Sequence, residues 1–466
     1  MIKAVVERCV GIDIGKKFLL ACVMTGPAHG EARSEIRTFG TTVAELKALR
    51  EWIEKEQCTH AIMESTGSYW KPVYNMLEGS VIVALANPQE VKARKGQETD
   101  AKDAWWLAHL LRHGMVTPSF IPPRSQRQLR DLTRRRKKML SAASSEKNRI
   151  AKILEDANVK LGSVLSDLFG VSGQGMLEAL LEGKAEPPQI AAFAKGIAQK
   201  KMPELIAAVE GHQMNDHHRR MIGYSVAHLC FLEDQIAELD EDIRDQIRQA
   251  GYEPAWELLQ TVPGVQEPTA AVLLAEMGPH TKQFESEKEL SSWAGLAPGN
   301  NKSAGRVKSS GTQPGNRWLK GALTETAWGV ARKKDCHLRD KFWRIASKCR
   351  QKAVVAIAHD VLVLSYFVLQ RGTPYVEEGP HVLTEPQKQR IIRHHVRRLG
   401  RLGIRVRTSP QLASGGSKAS QGKAPNPTQR RGRPCQCAER GLTCKHGRSP
   451  QPKLLDSNAH ADQISQ

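Results

Sequence analysis

The stretch Val10-Gly-Ile-Asp-Ile-Gly-Lys-Lys-Phe-Leu-Leu-Ala-Cys-Val23 places one carboxylate, Asp13, inside an apolar run that otherwise predicts a buried β-strand. An isolated ionised carboxylate is costly to bury, so Asp13 needs a partner, and a cation would supply it. Three further acids occupy comparable positions downstream. Glu64 ends a short apolar run, and Asp100 and Asp103 lie at the start of a helical stretch.

Together these four acids predict a metal site. Asp100 and Asp103 are three residues apart, so both lie on one face of a helix. Mg²⁺ prefers oxygen ligands, and two-metal sites that cut phosphodiesters are built from carboxylates. Each acid alone has an ordinary explanation, in that Asp13 could start a turn, Glu64 could pair with a lysine and Asp100 could cap a helix. As a set they predict Mg²⁺, with Mn²⁺ as the alternative ion.

The order of elements in residues 1–122 predicts an α/β fold. Hydrophobic patterns indicate strand, strand, strand, helix, strand, helix, strand, helix, with the first two strands joined in a hairpin. Three antiparallel strands followed by alternating helices and strands are the layout of ribonuclease-H-like, or RuvC-like, domains. The predicted elements are Val5–Ile14, Phe18–Met24, Ser34–Phe39, Thr42–Glu56, His60–Met63, Ser68–Leu77, Val81–Ala86 and Thr99–Leu111.

Residues 123–252 are predicted to form a basic helix and a coiled-coil region. The segment 124–138 is crowded with arginine and lysine, which suits either a helix that follows a phosphate backbone or an ordinary solvated face. Apolar residues recur at three- and four-residue steps between residues 217 and 249, as in an antiparallel or a dimeric coiled coil. The candidate nucleic-acid contacts are Arg130, Arg134, Arg135 and Lys138.

Residues 253–375 are predicted to form a mainly helical C-terminal domain. Two helices pinched around Val262-Pro-Gly-Val265 suggest a helix-hairpin-helix element, whose backbone N–H groups near Gly264 would bind a phosphate. A plain corner between two helices is the alternative. The loop 298–315 is rich in Gly, Asn, Lys and Ser, which suits close approach to a phosphate.

The tail, residues 388–466, is predicted to be basic and largely disordered. From Lys388 onward the chain has 17 Lys and Arg against 3 Asp and Glu, so most of its net charge of +20 lies there. That charge indicates a polyanionic partner, most simply nucleic acid. A cluster of soft ligands near the end could hold zinc, although its first pair is spaced more tightly than in most zinc sites. The cluster comprises Cys435, Cys437, Cys444 and His446.

The length of 466 residues allows two or three domains. Scattered single cysteines indicate a reducing compartment, and the start of the chain has no secretion signal. We found no apolar run long enough to span a bilayer. A bacterial-type cytoplasm, with nucleoid association during action, is therefore the predicted location.

At this point the chain resembles a known family. The pattern Asp13, Glu64, Asp100-x-x-Asp103, set in Gly-Ile-Asp-Ile-Gly-Lys and Met-Glu-Ser-Thr-Gly-Ser-Tyr-Trp, is similar to the DEDD transposases of the IS110 insertion-sequence family, whose N-terminal domain is RuvC-like. The likeness resumes at Thr261-Val-Pro-Gly-Val, Ser292-Trp-Ala-Gly-Leu-Ala-Pro-Gly and Gly315-Asn-Arg-Trp-Leu-Lys, and it spans roughly residues 8–345.

The resemblance implies a recombinase that cuts and rejoins the DNA of element ends and targets. It also implies that a serine, matched here by Ser303, forms a covalent link to DNA, and that a structured RNA guides the choice of DNA. The apolar stripe between residues 222 and 243 predicts a homo-oligomer, a dimer or a tetramer. A serine hydroxyl needs activation, and no histidine lies nearby in sequence, which favours activation by a metal. Ser309 and Ser310 are competing nucleophiles. Basic residues around this loop would grip the DNA backbone, namely Arg306, Lys308, Arg317 and Lys320.

Three other functions remain open on sequence alone. A RuvC-like nuclease or junction resolvase would keep the acids and attack with water, without using Ser303. A sugar kinase or chaperone ATPase would need a second glycine-rich phosphate loop, which we do not find. A non-catalytic nucleic-acid-binding protein would explain the charge, but four clustered acids would repel its ligand.

Overall fold

The computed structural model describes residues 4–65, 67–87, 91, 100–299, 301–303, 306–309, 311–377, 392–393 and 396–400. Side chains of residue 100 and of residues 301–310 are not described. Most of the predicted tail, including the candidate zinc ligands, lies outside the described residues. The chain divides into two compact units, Met1–Arg124 and Ser125–Gln466.

The first unit contains a mixed five-stranded sheet in the order β3-β2-β1-β4-β5. Strand β1 is antiparallel to β2 and parallel to β4, β2 is antiparallel to β3, and β4 is parallel to β5. This order and these directions are those of a ribonuclease-H-like domain, so the predicted fold is confirmed at that level. The strands are β1 Arg8–Ile14, β2 Phe18–Thr25, β3 Arg33–Gly40, β4 His60–Glu64 and β5 Ile82–Ala86.

Helices cover both faces of this sheet. On one face, α1 (Val43–Lys55) and α2 (Trp70–Leu77) pack their apolar stripes against the β1 side chains Val10 and Ile12. On the other face, α3 (Asp100–Arg112) lies across β1 and β2. Helix α1 starts where the sequence predicts, because the Thr42 side chain accepts a hydrogen bond from the Glu45 N–H.

Two long helices of the second unit, α4 (Arg124–Asp156) and α9 (Asp216–Gln249), run antiparallel to each other. His228 of α9 contacts Glu146 of α4 at 3.0 Å. Twelve residues further along α9, Asp240 pairs with Arg136, ten residues earlier on α4. The predicted coiled coil is therefore the antiparallel alternative, formed within one chain.

Between these long helices the chain forms a small helical bundle with its own core. Its helices are too short to show a clear hydrophobic period in the sequence. They are α5 Leu161–Val164, α6 Val171–Glu182, α7 Pro187–Ala191, a 3₁₀ helix Gly196–Lys201 and α8 Met202–Val209.

The last part of the second unit is mainly helical, as predicted, but it contains a β-hairpin where the sequence suggested a loop. Its elements are α10 Glu253–Gln260, α11 Glu267–Met277, α12 Glu287–Trp293, β6 Asn301–Ser303, β7 Arg306–Ser309, α13 Arg317–Val330, α14 His337–Ala346 and α15 Arg350–Arg371.

Helix α15 corrects one sequence prediction. Among the described residues it is long and apolar enough to cross a membrane, whereas we had found no such run. The polar pair His359-Asp360 in the middle of the helix interrupts the apolar run in the sequence. Its inner face, including Ile357, Val361 and Leu362, is fully buried in the core of the second unit, which accounts for the apolar composition.

Candidate active site and nucleic-acid contacts

Asp13 and Glu64 lie side by side at the carboxyl ends of two neighbouring parallel strands. Gly11 pairs with Ile62 and Ile12 with Met63, so Asp13 and Glu64 are the next residues in the same register. Neighbouring strands are about 4.8 Å apart, and residues in register point to the same face of a sheet. Both acids therefore belong to the sheet face that α3 covers, and both are half-buried.

Helix α3 brings Asp103 towards the same end of the sheet. The Sγ of Cys9 donates to the Ala108 carbonyl at 3.5 Å, so the later part of α3 lies over the middle of β1. Gly11, two residues nearer Asp13, lies against Ala104 and Ala108 of the helix. The helix thus runs antiparallel to β1, and its N-terminal turn, which holds Asp103, lies towards Asp13.

Gly11 makes this close approach feasible. A Cβ at residue 11 would lie 2.2 Å from the Ala104 carbonyl oxygen and 2.3 Å from the Ala108 nitrogen. Only glycine leaves room for backbone at that distance. The glycine before Asp13 in the opening motif therefore sets how near the α3 acids come to the sheet.

Asp100 begins α3, three residues before Asp103, so it lies on the same helix face. Its side chain is outside the described residues. Among the side chains that the structure describes, no three His, Cys, Asp or Glu lie close enough to hold a metal ion together. The donor set is nonetheless that of a hard divalent cation, because every candidate ligand is a carboxylate.

The thiols of this sheet are not candidates for the chemistry. Burial raises the pKa of both Cys9 and Cys22 to about 12, so both remain protonated near neutral pH. The imidazole of His109 stacks on Trp105 with a centroid distance of 5.0 Å. Burial, followed by the nearby His113 and Arg112, lowers the pKa of His109. His109 is therefore neutral at pH 7.

Ser303 lies at the turn end of the hairpin formed by β6 and β7. Its strand partner is Arg306, and the two residues between them are outside the described part of the chain. The stem of the hairpin is closed at its foot, where the Gly299 N–H donates to the Gly311 carbonyl at 2.9 Å. Ser309 lies at the other end of the hairpin, paired with Asn301, and Ser310 is outside the described residues.

The N-terminus of α13, just after the hairpin, is joined to a buried ionic network that the sequence did not predict. Glu276 of α11 is 1% exposed and forms a bidentate pair with Arg134, with Nε–Oε1 2.8 Å and Nη2–Oε2 2.9 Å. Arg130 lies 3.4 Å from the same carboxylate and also donates to the Ala275 carbonyl. The side-chain amide of Asn316 donates to Glu276 at 2.7 Å while its oxygen caps α13.

This network occupies two of the side chains that were predicted to contact nucleic acid. Arg130 and Arg134 make internal ion pairs, so binding by them would compete with Glu276. Arg135 and Lys138, on the same helix, are exposed. Lys320 donates to the Thr312 hydroxyl at 2.7 Å, whereas Arg317 is exposed. Side chains of Arg306 and Lys308 are not described, and nucleic-acid binding by all these residues stays a prediction.

Gly264 lies in the turn between α10 and α11, which form the predicted helical hairpin. It has a φ of +82°, and a Cβ there would lie 2.5 Å from the Val330 side chain of α13. The glycine is therefore required by packing within the domain. Phosphate binding at this turn stays a prediction.

Comparison with known proteins identifies the family. A transposase model for DEDD proteins of IS110 matches residues 10–159, and a model of the IS116/IS110/IS902 transposase family matches residues 256–344. The pilin gene-inverting protein of Moraxella lacunata is 23% identical over 384 residues, which cover 78% of this chain and 97% of that protein.

Two solved structures of Thermus thermophilus RuvC are similar to a smaller part of this chain. The free protein is 15% identical with a TM-score of 0.20, and the complex with a Holliday junction substrate is 17% identical with a TM-score of 0.19. Each alignment covers 24% of this chain and 99% of RuvC. The two family models together match about half of the chain, including Asp13, Glu64, Asp100, Asp103 and Ser303. The chain belongs to the IS110 family of transposases, and it is a DNA recombinase by family.

Proposed function

We propose that this transposase cuts and rejoins DNA with two divalent metal ions, most simply Mg²⁺, held by Asp13, Glu64, Asp100 and Asp103. When bound, such ions would stabilise the charge that develops on the phosphate and lower the pKa of an attacking hydroxyl. The observation that carries this proposal is the arrangement of Asp13 and Glu64 in one register, under the end of α3 that holds Asp103. These acids would otherwise repel one another and the DNA.

We further propose that Ser303 is the nucleophile. Attack by its Oγ on a DNA phosphorus would form a phosphoserine ester and release the adjoining 3′ or 5′ oxygen of the cut strand, which takes up the serine proton. Supporting this are the position of Ser303 at the turn end of a hairpin and its place within the second family match. A hairpin turn can reach into a DNA groove that the body of a domain cannot enter.

The remaining parts of the proposal concern partners. Membership of the family supports a structured guide RNA and a homo-oligomer, and the net charge of +20 suits a protein that handles both RNA and DNA. No membrane partner is proposed. The Cys and His cluster 435–446 is retained only as a candidate zinc site.

The acids and the serine are tested in one experiment. Labelled element-end DNA is incubated with Mg²⁺ and the full chain, and products are separated on a denaturing gel. Asp13→Ala should lower cleavage by at least about a thousandfold, since metal-bound carboxylates supply several kcal/mol to such reactions. Glu51→Ala, an exposed acid on α1, is the matched control and should act like wild type.

Ser303→Ala should bind DNA but give no covalent protein–DNA band, whereas Ser309→Ala should still give one. Cleaved DNA without a covalent band from the wild-type protein would instead favour the hydrolytic nuclease. Full cleavage by Asp13→Ala would refute the role of the acids.

A further inference from the structure

An open cleft of about 520 Å³ lies between the end of α12 and the start of α13 in the second unit. Two indoles and two guanidinium groups line it, together with Pro314. The residues concerned are Trp293, Trp318, Arg134 and Arg317.

The indoles offer flat apolar surfaces to a ligand. Trp293 is 38% exposed, and its ring rests on Phe284 with a centroid distance of 5.4 Å. The Trp318 ring is approached by Arg317 at 4.8 Å and by Arg134 at 5.6 Å. Aromatic rings beside arginines are the combination that binds the bases of single-stranded nucleic acid, because a base stacks on the ring while arginine neutralises its phosphate.

The charge of the cleft suits a phosphate. Glu276 neutralises only one of its two arginine partners, Arg130 and Arg134, so the network keeps one positive charge. Arg317 adds a second and is exposed at the rim. Each phosphate of DNA carries one negative charge. The site can balance that charge while Glu276 stays paired with its arginines.

The floor of the cleft is rigid. Asn316 uses its oxygen to cap the Trp318 and Leu319 N–H groups, at 3.0 and 3.1 Å, and its amide to reach Glu276. Both polar groups of Asn316 are therefore occupied within the protein, and the indoles that line the cleft are the groups that can stack on the face of a base.

The cleft lies next in the chain to the foot of the hairpin that carries Ser303. The Asn316 N–H donates to the Trp293 carbonyl at 3.1 Å, and Pro298 pairs with Thr312 at the hairpin foot. We infer that the cleft holds one unpaired nucleotide of the DNA strand, with its base stacked on Trp318 and Trp293 and its phosphate on Arg317. This inference takes DNA as substrate from the proposed function, and the position beside the Ser303 hairpin favours DNA over RNA.

The test is the binding of a single-stranded oligodeoxynucleotide that contains 2-aminopurine, titrated against the full chain in buffer without divalent metal. Stacking quenches 2-aminopurine fluorescence. Trp318→Leu and Trp293→Leu should each weaken binding about tenfold and reduce the quenching, and Trp318→Phe should keep binding within about threefold of wild type. Arg317→Gln should make the affinity fall less steeply with salt, by the slope expected for the loss of about one phosphate contact.

Trp328→Leu is the matched control, because Trp328 is an indole of the same helix, 44% exposed and outside the cleft. Binding of a blunt duplex should be the same for wild type, Trp318→Leu and Trp293→Leu, since a duplex offers no unpaired base. Wild-type binding and quenching by both cleft variants would overturn the inference, as would a loss confined to an oligoribonucleotide. Because the assay has no metal, failure of the acid or serine predictions would leave this result unaffected.

Discussion

The guanidinium of Arg112 fastens the C-terminal end of α3 to the sheet. It is 2% exposed and donates to the carbonyls of Glu7 and Pro27 at 2.8 Å each, with longer bonds to Val6 and Gly26. In return, the Arg112 carbonyl accepts from the Val5 N–H at 2.8 Å. These bonds fix the position of α3 along β1, and with it the position of Asp103 relative to Asp13 and Glu64.

Replacing Arg112 should therefore damage both stability and activity. Arg112→Ala should lower the free energy of unfolding by about 2–4 kcal/mol, because it leaves several buried carbonyls without a charged donor. DNA cleavage should fall as well, since α3 loses its anchor. Thermal denaturation of the full chain measures the first effect, with Arg33→Ala as control because Arg33 lies in an exposed ion pair worth under about 1 kcal/mol. An unchanged melting temperature for Arg112→Ala would contradict this account.

Some of these residues could be predicted from the sequence and others could not. Asp13 and Glu64 could be predicted, because a charge within or just after a short apolar run is a local signal. Arg112 and Glu276 could not be predicted, since their partners lie as far as 106 and 146 residues away in the chain. For the same reason the sequence predicts Arg134 as a nucleic-acid contact, whereas its side chain pairs with the buried Glu276.

At the scale of elements, a periodic apolar stripe shows that a helix has a partner but does not say which one. Leu229 and Leu232 of α9 pack with Met139 and Ala143 of α4 in the same chain. This stripe therefore packs within one chain, whereas the sequence alone also allows a role in joining two subunits. The sequence does not predict the hairpin β6–β7, because its strands are short and rich in polar residues and so show no alternating apolar pattern.

The coiled-coil packing predicts very different losses of stability when two adjacent residues of α9 are replaced by alanine. Leu232 is buried and Phe231 is 50% exposed. Leu232→Ala should lower the free energy of unfolding by about 2–5 kcal/mol through the cavity it leaves, whereas Phe231→Ala should change it by less than about 0.5 kcal/mol. Denaturant titration of the full chain followed by circular dichroism distinguishes them. Equal effects of the two substitutions would refute the antiparallel pairing with α4.

At the scale of the whole molecule, positive charge is concentrated outside the domains that carry the candidate chemistry. Residues 401–466 contain 12 Lys and Arg against 3 Asp and Glu, whereas Asp13, Glu64, Asp100, Asp103 and Ser303 all precede residue 305. Charge of this kind acts over distance and without base specificity, so it raises the rate and strength of nucleic-acid capture. Metal and serine chemistry depends instead on fixed geometry.

Deleting residues 401–466 should therefore separate binding from chemistry. The truncated protein should bind nucleic acid more weakly, and its affinity should fall less steeply with salt, because fewer counterions are released for each complex. At saturating DNA, cleavage should continue near the wild-type rate, since no candidate catalytic group is lost. Salt-dependent binding isotherms and single-turnover cleavage measure the two properties.

A full-length variant with the tail lysines and arginines changed to glutamine should match the truncation if charge alone is responsible. Loss of cleavage at saturation in the truncation, but not in the glutamine variant, would assign the tail a further role, with Cys435, Cys437, Cys444 and His446 as the groups to examine first.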